Sequence, residues 1–99
     1  MKGFRLAPEA SADIEEIWEY IAEDDIEAAA RVRHAFLDSC RLLAQHPRLG
    51  HRREDLTTHS GVRFWPVFSY LIVYRPVPHG PLEILRVLHG KRDVKGILR

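Results

Sequence analysis

Two arginines and a histidine stand where a small protein could work on a phosphate. Arg86 lies in the middle of Leu82–His89, a run that reads as a strand, and His89 closes it. Arg63 opens the apolar segment Arg63-Phe64-Trp65 in a neighbouring stretch. Cutting RNA by attack of its own 2′-hydroxyl needs cations on the phosphate, a base, and an acid for the leaving oxygen. Arg63 and Arg86 could supply the cations, and His89 or Glu54 could move the proton. Both kinds of residue also have a structural reading. A guanidinium among apolar neighbours needs a carboxylate, and Asp93, Glu54 and Asp55 are candidates for Arg86. A histidine at a strand end can simply hydrogen-bond a backbone group or a carboxylate.

Other chemistries lack their residues. The six histidines show neither H-x-x-x-H nor H-x-H spacing and there is one cysteine, so no metal site and no cofactor is expected. Cys40 falls on an apolar helix face and reads as a buried small hydrophobe. There is no glycine-rich phosphate loop and no G-x-S-x-G.

The elements that must position these groups follow from periodicity. Lys2–Leu6 reads as a first strand. Pro8 suits the first turn of a helix, where its missing N–H would have no partner. Ala10, Ile14, Ile17, Trp18 and Ile21 mark one helical face, and Glu9, Asp13, Glu15, Glu16, Glu19 and Glu23 mark the other. Asp24-Asp25 offers a turn and an N-cap, and Ala29, Val32, Phe36, Leu37, Cys40, Leu43 and Ala44 predict a second helix ending at His46-Pro47. So short a connection predicts an antiparallel helical hairpin. Arg48–Gly61 reads as a long polar loop, a candidate for function or mobility. Val62–Trp65, Val67–Arg75 and Leu82–His89 read as strands, with Pro66 at an edge or bulge. Strict alternation in the last strand places Leu82, Ile84, Arg86 and Leu88 on one side, and Glu83, Leu85, Val87 and His89 on the other. The aromatics Trp18, Phe64, Trp65, Phe68, Tyr70 and Tyr74 are expected in the core. The order β-α-α-β-β-β predicts an α+β fold: a small antiparallel-rich sheet packed on one face by the hairpin, its other face free, with a short C-terminal tail or helix.

Size and charge bound what this fold could serve. Ninety-nine residues predict one domain, residues 1–99. No apolar run is long enough to span a membrane, and the N-terminal residues lack an export signal's apolar stretch. With a lone cysteine, these point to a cytoplasmic protein. Residues 1–47 sum to −5 and residues 48–99 to +6. Either the two halves attract each other, or the basic half meets something anionic. Lys91, Arg92, Lys95 and Arg99 give the tail that second possibility, but no aromatic is interleaved with them for stacking on single strands.

The segments Arg63-Phe64-Trp65-Pro66-Val67, Tyr70 through Arg75, and Glu83 through Asp93, with its Arg86-Val87-Leu88-His89-Gly90-Lys91-Arg92-Asp93 ending, resemble the ParE branch of the RelE/ParE toxin superfamily. Leu6-Ala7-Pro8-Glu9-Ala10, Asp13-Ile14, Ile17 and Tyr20 resemble the family's first helix, and Pro47, Gly50 and Arg52 its loop into the sheet. The resemblance implies the toxin of a type II toxin–antitoxin pair. Such a protein inhibits DNA gyrase by binding and is silenced by a ParD-like antitoxin that folds as it binds. Sequence-specific DNA binding would belong to the antitoxin, not to this chain. It also implies contact residues: Arg86, His89, Lys91, Arg92 and Lys95 toward the target, and Trp18, Ile21, Arg31, Arg33, Phe64 and Trp65 toward the antitoxin. The alternative is a RelE-like ribosome-dependent mRNA endonuclease using Arg63, Arg86 and His89. RelE-type nucleases rely on a dense Lys/Arg cluster or a late His–Tyr pair. Here Gly90 follows His89, no tyrosine follows Tyr74, and the lysines are only Lys2, Lys91 and Lys95.

Overall fold

A computed structural model describes residues 3–53, 55–57 and 59–90. It has the expected order: β1 (Phe4–Leu6), α1 (Pro8–Ala22), α2 (Ile26–Gln45), β2 (Arg63–Val67), β3 (Tyr70–Arg75) and β4 (Leu82–His89). Pro8 opens α1 behind an extended Ala7. Asp25 caps α2, its Oδ1 accepting the Ala28 N–H at 3.0 Å, so the short turn between the helices satisfies one of α2's orphan donors. The strands form one sheet in the order β1-β4-β3-β2, with β1 parallel to β4 and the other pairs antiparallel. Among the described residues, no helix is long and apolar enough to cross a membrane.

The helices bury one face of this sheet. Ala10 and Ile14 of α1, and Phe36, Cys40 and Leu43 of α2, meet Ile72, Tyr74, Leu82, Ile84 and Val87. Each large aliphatic or aromatic side chain fully buried there contributes about 1.5–3 kcal/mol of transfer free energy. Burial also pushes the Cys40 thiol up to about 12, the environment of an inert core cysteine.

The opposite face is not free as expected. The segment between α2 and β2 folds under it, held by paired N–H···O=C bonds between His51 and Phe64, both 2.8 Å. Leu56 and Val62 then close a second small core with Phe64, Val73 and Leu88, and Leu71 and Leu85 pack at its border. The loop reads as polar because Leu49 and Leu56 are its only large apolar residues, and of the two only Leu56 is buried.

Two local features also depart from expectation. Pro66 sits on an edge strand as expected, but β2 runs on through it to Val67 instead of ending at Trp65. The chain then reverses at Phe68-Ser69, between the paired Val67 and Tyr70, instead of running straight into β3. A two-residue hairpin needs a mirror-image turn, and the structure supplies it with φ 55° at Phe68, a position where glycine is usual. Phe68 is accordingly not in the core; it is 71% exposed.

The second departure is in β4. Val73 pairs with Arg86 and Tyr74 with Ile84, so Leu85 is an extra, bulged residue. The bulge shifts the alternation: Ile84 and Val87, three residues apart, both face the helices.

Candidate functional site

The bulge sets the environment of Arg86. β1 pairs with β4 only as far as Leu6↔Ile84, so the next outward N–H of β4, that of Val87, has no strand beside it. Asp13 of α1 replaces the strand: its Oδ2 accepts that N–H at 2.9 Å. The same carboxylate takes Arg86 in a fork, Nε to Oδ2 at 2.7 Å and Nη2 to Oδ1 at 2.8 Å. This hydrogen bonding raises the Arg86 pKa above its ordinary value, with Glu9 and Glu16 adding to the negative field. The described partner of Arg86 is thus Asp13; of the carboxylates expected for it, Asp55 is held by Arg53, and Asp93 and Glu54 lie outside the described residues. Asp13 falls in the stripe Ala10, Asp13, Ile14, Ile17, the i, i+3, i+4, i+7 face of α1, and that position carries the signal that its carboxylate is directed inward.

Arg63 is also engaged. Its Nη1 donates to the carbonyl of Gly50 at 2.9 Å and, more weakly, to that of Arg48 at 3.4 Å. Beside it the buried Tyr74 hydroxyl donates to the Pro47 carbonyl at 2.7 Å and accepts the Gly50 N–H at 2.8 Å. Arg63 and Tyr74 together pin the start of the loop. His89 sits at the other end of the sheet, its ring edge-on to Tyr70 at 5.1 Å, and Tyr70 in turn edge-on to Phe36 at 5.5 Å.

The three groups a nuclease would need are therefore not brought together. Arg63 pairs with Tyr74 and His89 with Tyr70, four residues along β3. At ~3.3 Å per residue that is roughly 13 Å between backbone positions. Arg86 lies between them in register, turned to α1. Glu54, Lys91, Arg92 and Lys95 lie outside the described residues. Among the described residues, no group of three or more His, Cys, Asp or Glu could hold a metal. The loop's own hollow, about 360 Å³, is lined by Arg52, Arg53, His59 and their neighbours, but Arg53 is tied to Asp55 by two bonds of 2.9 and 2.8 Å.

The residues expected to meet an antitoxin divide. Trp18 and Ile21 of α1 and Trp65 of β2 are half-buried, and Arg31 of α2 is exposed. Arg33 reaches Glu15 of α1 at 3.4 Å. Phe64 offers no surface: it is 1% exposed, inside the core under the sheet, because β2 alternates and Phe64 points away from the helices. Sequence reasoning missed Tyr20, 75% exposed at the end of α1, and Phe68.

Across the sheet, Glu83 bridges Arg5 of β1 and Arg75 of β3, and these two cations hold its carboxyl below the usual range, Arg75 first. Cross-strand pairs of this kind are solvated and fix register more than stability.

The comparisons agree with this architecture. Residues 4–94 match the family model described as ParE toxin of type II toxin–antitoxin system, parDE. Toxin ParE1 of Caulobacter vibrioides is 31% identical over 99 residues, 99% of each chain. Toxin ParE1 of Mycobacterium tuberculosis is 30% identical over 95 residues, 92% of each chain. A solved structure described as the chromosomal ParDE TA system from P. aeruginosa superposes with a TM-score of 0.73 at 20% identity, covering 91% of this chain and 97% of that one. With its helical hairpin on a β1-β4-β3-β2 sheet and a family match over nearly its whole length, the chain belongs to the ParE toxins of type II toxin–antitoxin systems.

Proposed function

We propose that this cytoplasmic protein acts by binding DNA gyrase, not by cutting RNA, and that a ParD-like antitoxin neutralises it. The observation that carries the reading is the separation of Arg63, Arg86 and His89. A phosphodiester cleaved in place needs base, acid and cations within about 3 Å of one phosphate. Here both arginines hold intramolecular partners, and the histidine lies strands and residues away from Arg63. The antitoxin's segment would run along the helical hairpin over Trp18 and Ile21 toward Trp65, with Arg31 and Arg33 at the rim.

The test is gyrase supercoiling with purified toxin, alone and with its cognate antitoxin, beside a ribosome-dependent RNA cleavage assay. Inhibition with accumulated cleaved DNA, reversed by antitoxin, is expected. Unaffected supercoiling together with cut mRNA would reverse the assignment in favour of the endonuclease.

A further inference from the structure

The two most exposed aromatic side chains share one end of the molecule. Phe68 caps the β2–β3 hairpin, and Tyr20 lies near the end of α1. Tyr20 lies close enough to Tyr70, two residues after Phe68, to act electrostatically on the Tyr70 phenol. Beneath them Phe36, Tyr70 and His89 form an edge-to-face series that ties this end to α2 and β4.

Phe68 carries two separate costs. Its backbone sits at φ 55°, which disfavours any residue with a Cβ. Its ring also remains largely in water. Glycine would relieve the first and a polar residue the second. The two-residue turn fixes the backbone that carries the ring, and a Phe side chain has only two torsions left to order on entering a cleft.

Charge selects the occupant. Ala7–Ala30, which leads up to and past Tyr20, holds nine acidic residues and no lysine or arginine. Asp13 and Glu15 have cationic partners within the fold; Glu19, Glu23, Asp24 and Glu27, within seven residues of Tyr20 in sequence, are exposed. Such a rim repels phosphates and suits a basic protein surface. An enzyme that handles DNA must present one, because its substrate is a dense row of phosphates.

We infer that the Phe68–Tyr20 end is the surface by which this toxin grips its target, Phe68 entering an apolar cleft within a basic, DNA-handling face of the enzyme. The inference rests on the gyrase reading above and adds the contact that reading leaves unassigned.

The test measures binding of purified wild-type, Phe68→Gly, Phe68→Ala and Tyr20→Ala toxin to gyrase holoenzyme, and separately to the cognate antitoxin, at several salt concentrations. Phe68→Gly removes the ring while suiting the turn, so its Tm should equal or exceed that of wild type. It should bind gyrase roughly 30-fold more weakly, as for loss of an anchor aromatic, and keep its antitoxin affinity. Wild-type binding should weaken as salt rises. If the wild type itself does not bind gyrase, the functional reading falls, and this inference with it. If the wild type binds and Phe68→Gly binds equally well, the contact surface alone is wrong. Loss of antitoxin binding with gyrase binding intact would also overturn the inference, by giving this end to the antitoxin.

Discussion

Asp13 offers a sharp test of how this fold is held, because one carboxylate does the work of a missing strand. It accepts three hydrogen bonds, two from Arg86 and one from the Val87 N–H, and its side chain is 9% exposed while that of Arg86 is 25% exposed. Asp13→Ala strands the Val87 N–H, at about 1–3 kcal/mol for an unpaired buried donor. It also unpairs a guanidinium that can still reach some water, adding about 1 kcal/mol after solvent screening. We expect a total near 3 kcal/mol, which at about 4–8 °C per kcal/mol lowers Tm by at least ~12 °C. Arg86→Ala should cost a similar ~3 kcal/mol, because it leaves a buried carboxylate with only a backbone partner. The double variant Asp13→Ala/Arg86→Ala should fall about 2 kcal/mol short of the summed singles, since no lone charge remains. Urea unfolding of the four proteins supplies the cycle. Singles within 0.5 kcal/mol of wild type, or a coupling near zero, would refute the claim that this pair closes the end of the sheet. The cycle also guards a functional experiment: inactivity of Arg86→Ala cannot be read as lost chemistry unless Asp13→Ala, which keeps the arginine, stays active.

Four further outcomes follow from the same geometry. A Cβ at Gly50 would lie 2.3–2.7 Å from the Tyr74 ring and hydroxyl, and Tyr74 is buried, so Gly50→Ala should destabilise by about 1–3 kcal/mol in denaturant titrations. Tyr74→Phe should cost about 1–3 kcal/mol, because it leaves the Gly50 N–H and the Pro47 carbonyl unpaired. Cys40, buried and raised to about 12, should resist a thiol reagent at pH 8 in the native protein and react at once in urea. Glu83 titrates below its ordinary 4.5 when folded, so the unfolded chain takes up its proton first as pH falls. Its contribution is present above that value and lost below it, and the midpoint of unfolding should drop less steeply between pH 5 and 3 in Glu83→Gln than in wild type.

How much of this could be read from sequence depends on the range of the interaction. Helix bounds were legible because caps and periodicity are local: Pro8, Asp25 and His46-Pro47 act within a turn of where they stand. The turn at Phe68-Ser69 was not, because neither residue favours a positive φ and the strand-forming run continues across it. Alternation misplaced Val87 because a bulge depends on how β3 and β4 register, not on β4's own composition. For the candidate site, the sequence pointed to Arg63, Arg86 and His89 by residue type. Their partners were beyond it: Asp13 is 73 residues from Arg86, and Gly50 is 13 from Arg63 across a loop of undetermined path. Phe64 illustrates the limit most directly. Its face was knowable from β2's alternation, but that the far face is covered by Leu56 was not.

The covered far face bears on how any partner can approach. The exposed edge of the sheet at β2 would ordinarily invite a strand from another chain. Phe64 is the residue whose backbone points outward there, and His51 already takes both its N–H and its carbonyl. The next outward position along the alternation is Pro66, which has no N–H to give. An incoming strand would therefore find no donor beyond Phe64 and would have to strip away the segment that carries Leu56, opening the second core. Closing this edge costs the chain a ladder bond and a proline in a strand, and it leaves recognition at this side to side chains. Trp65, half-buried against the helical core, and Phe68 at the hairpin's tip are what β2 and its turn then present. A chain that meets this side must therefore be held by side-chain contacts instead of by a new ladder of backbone bonds.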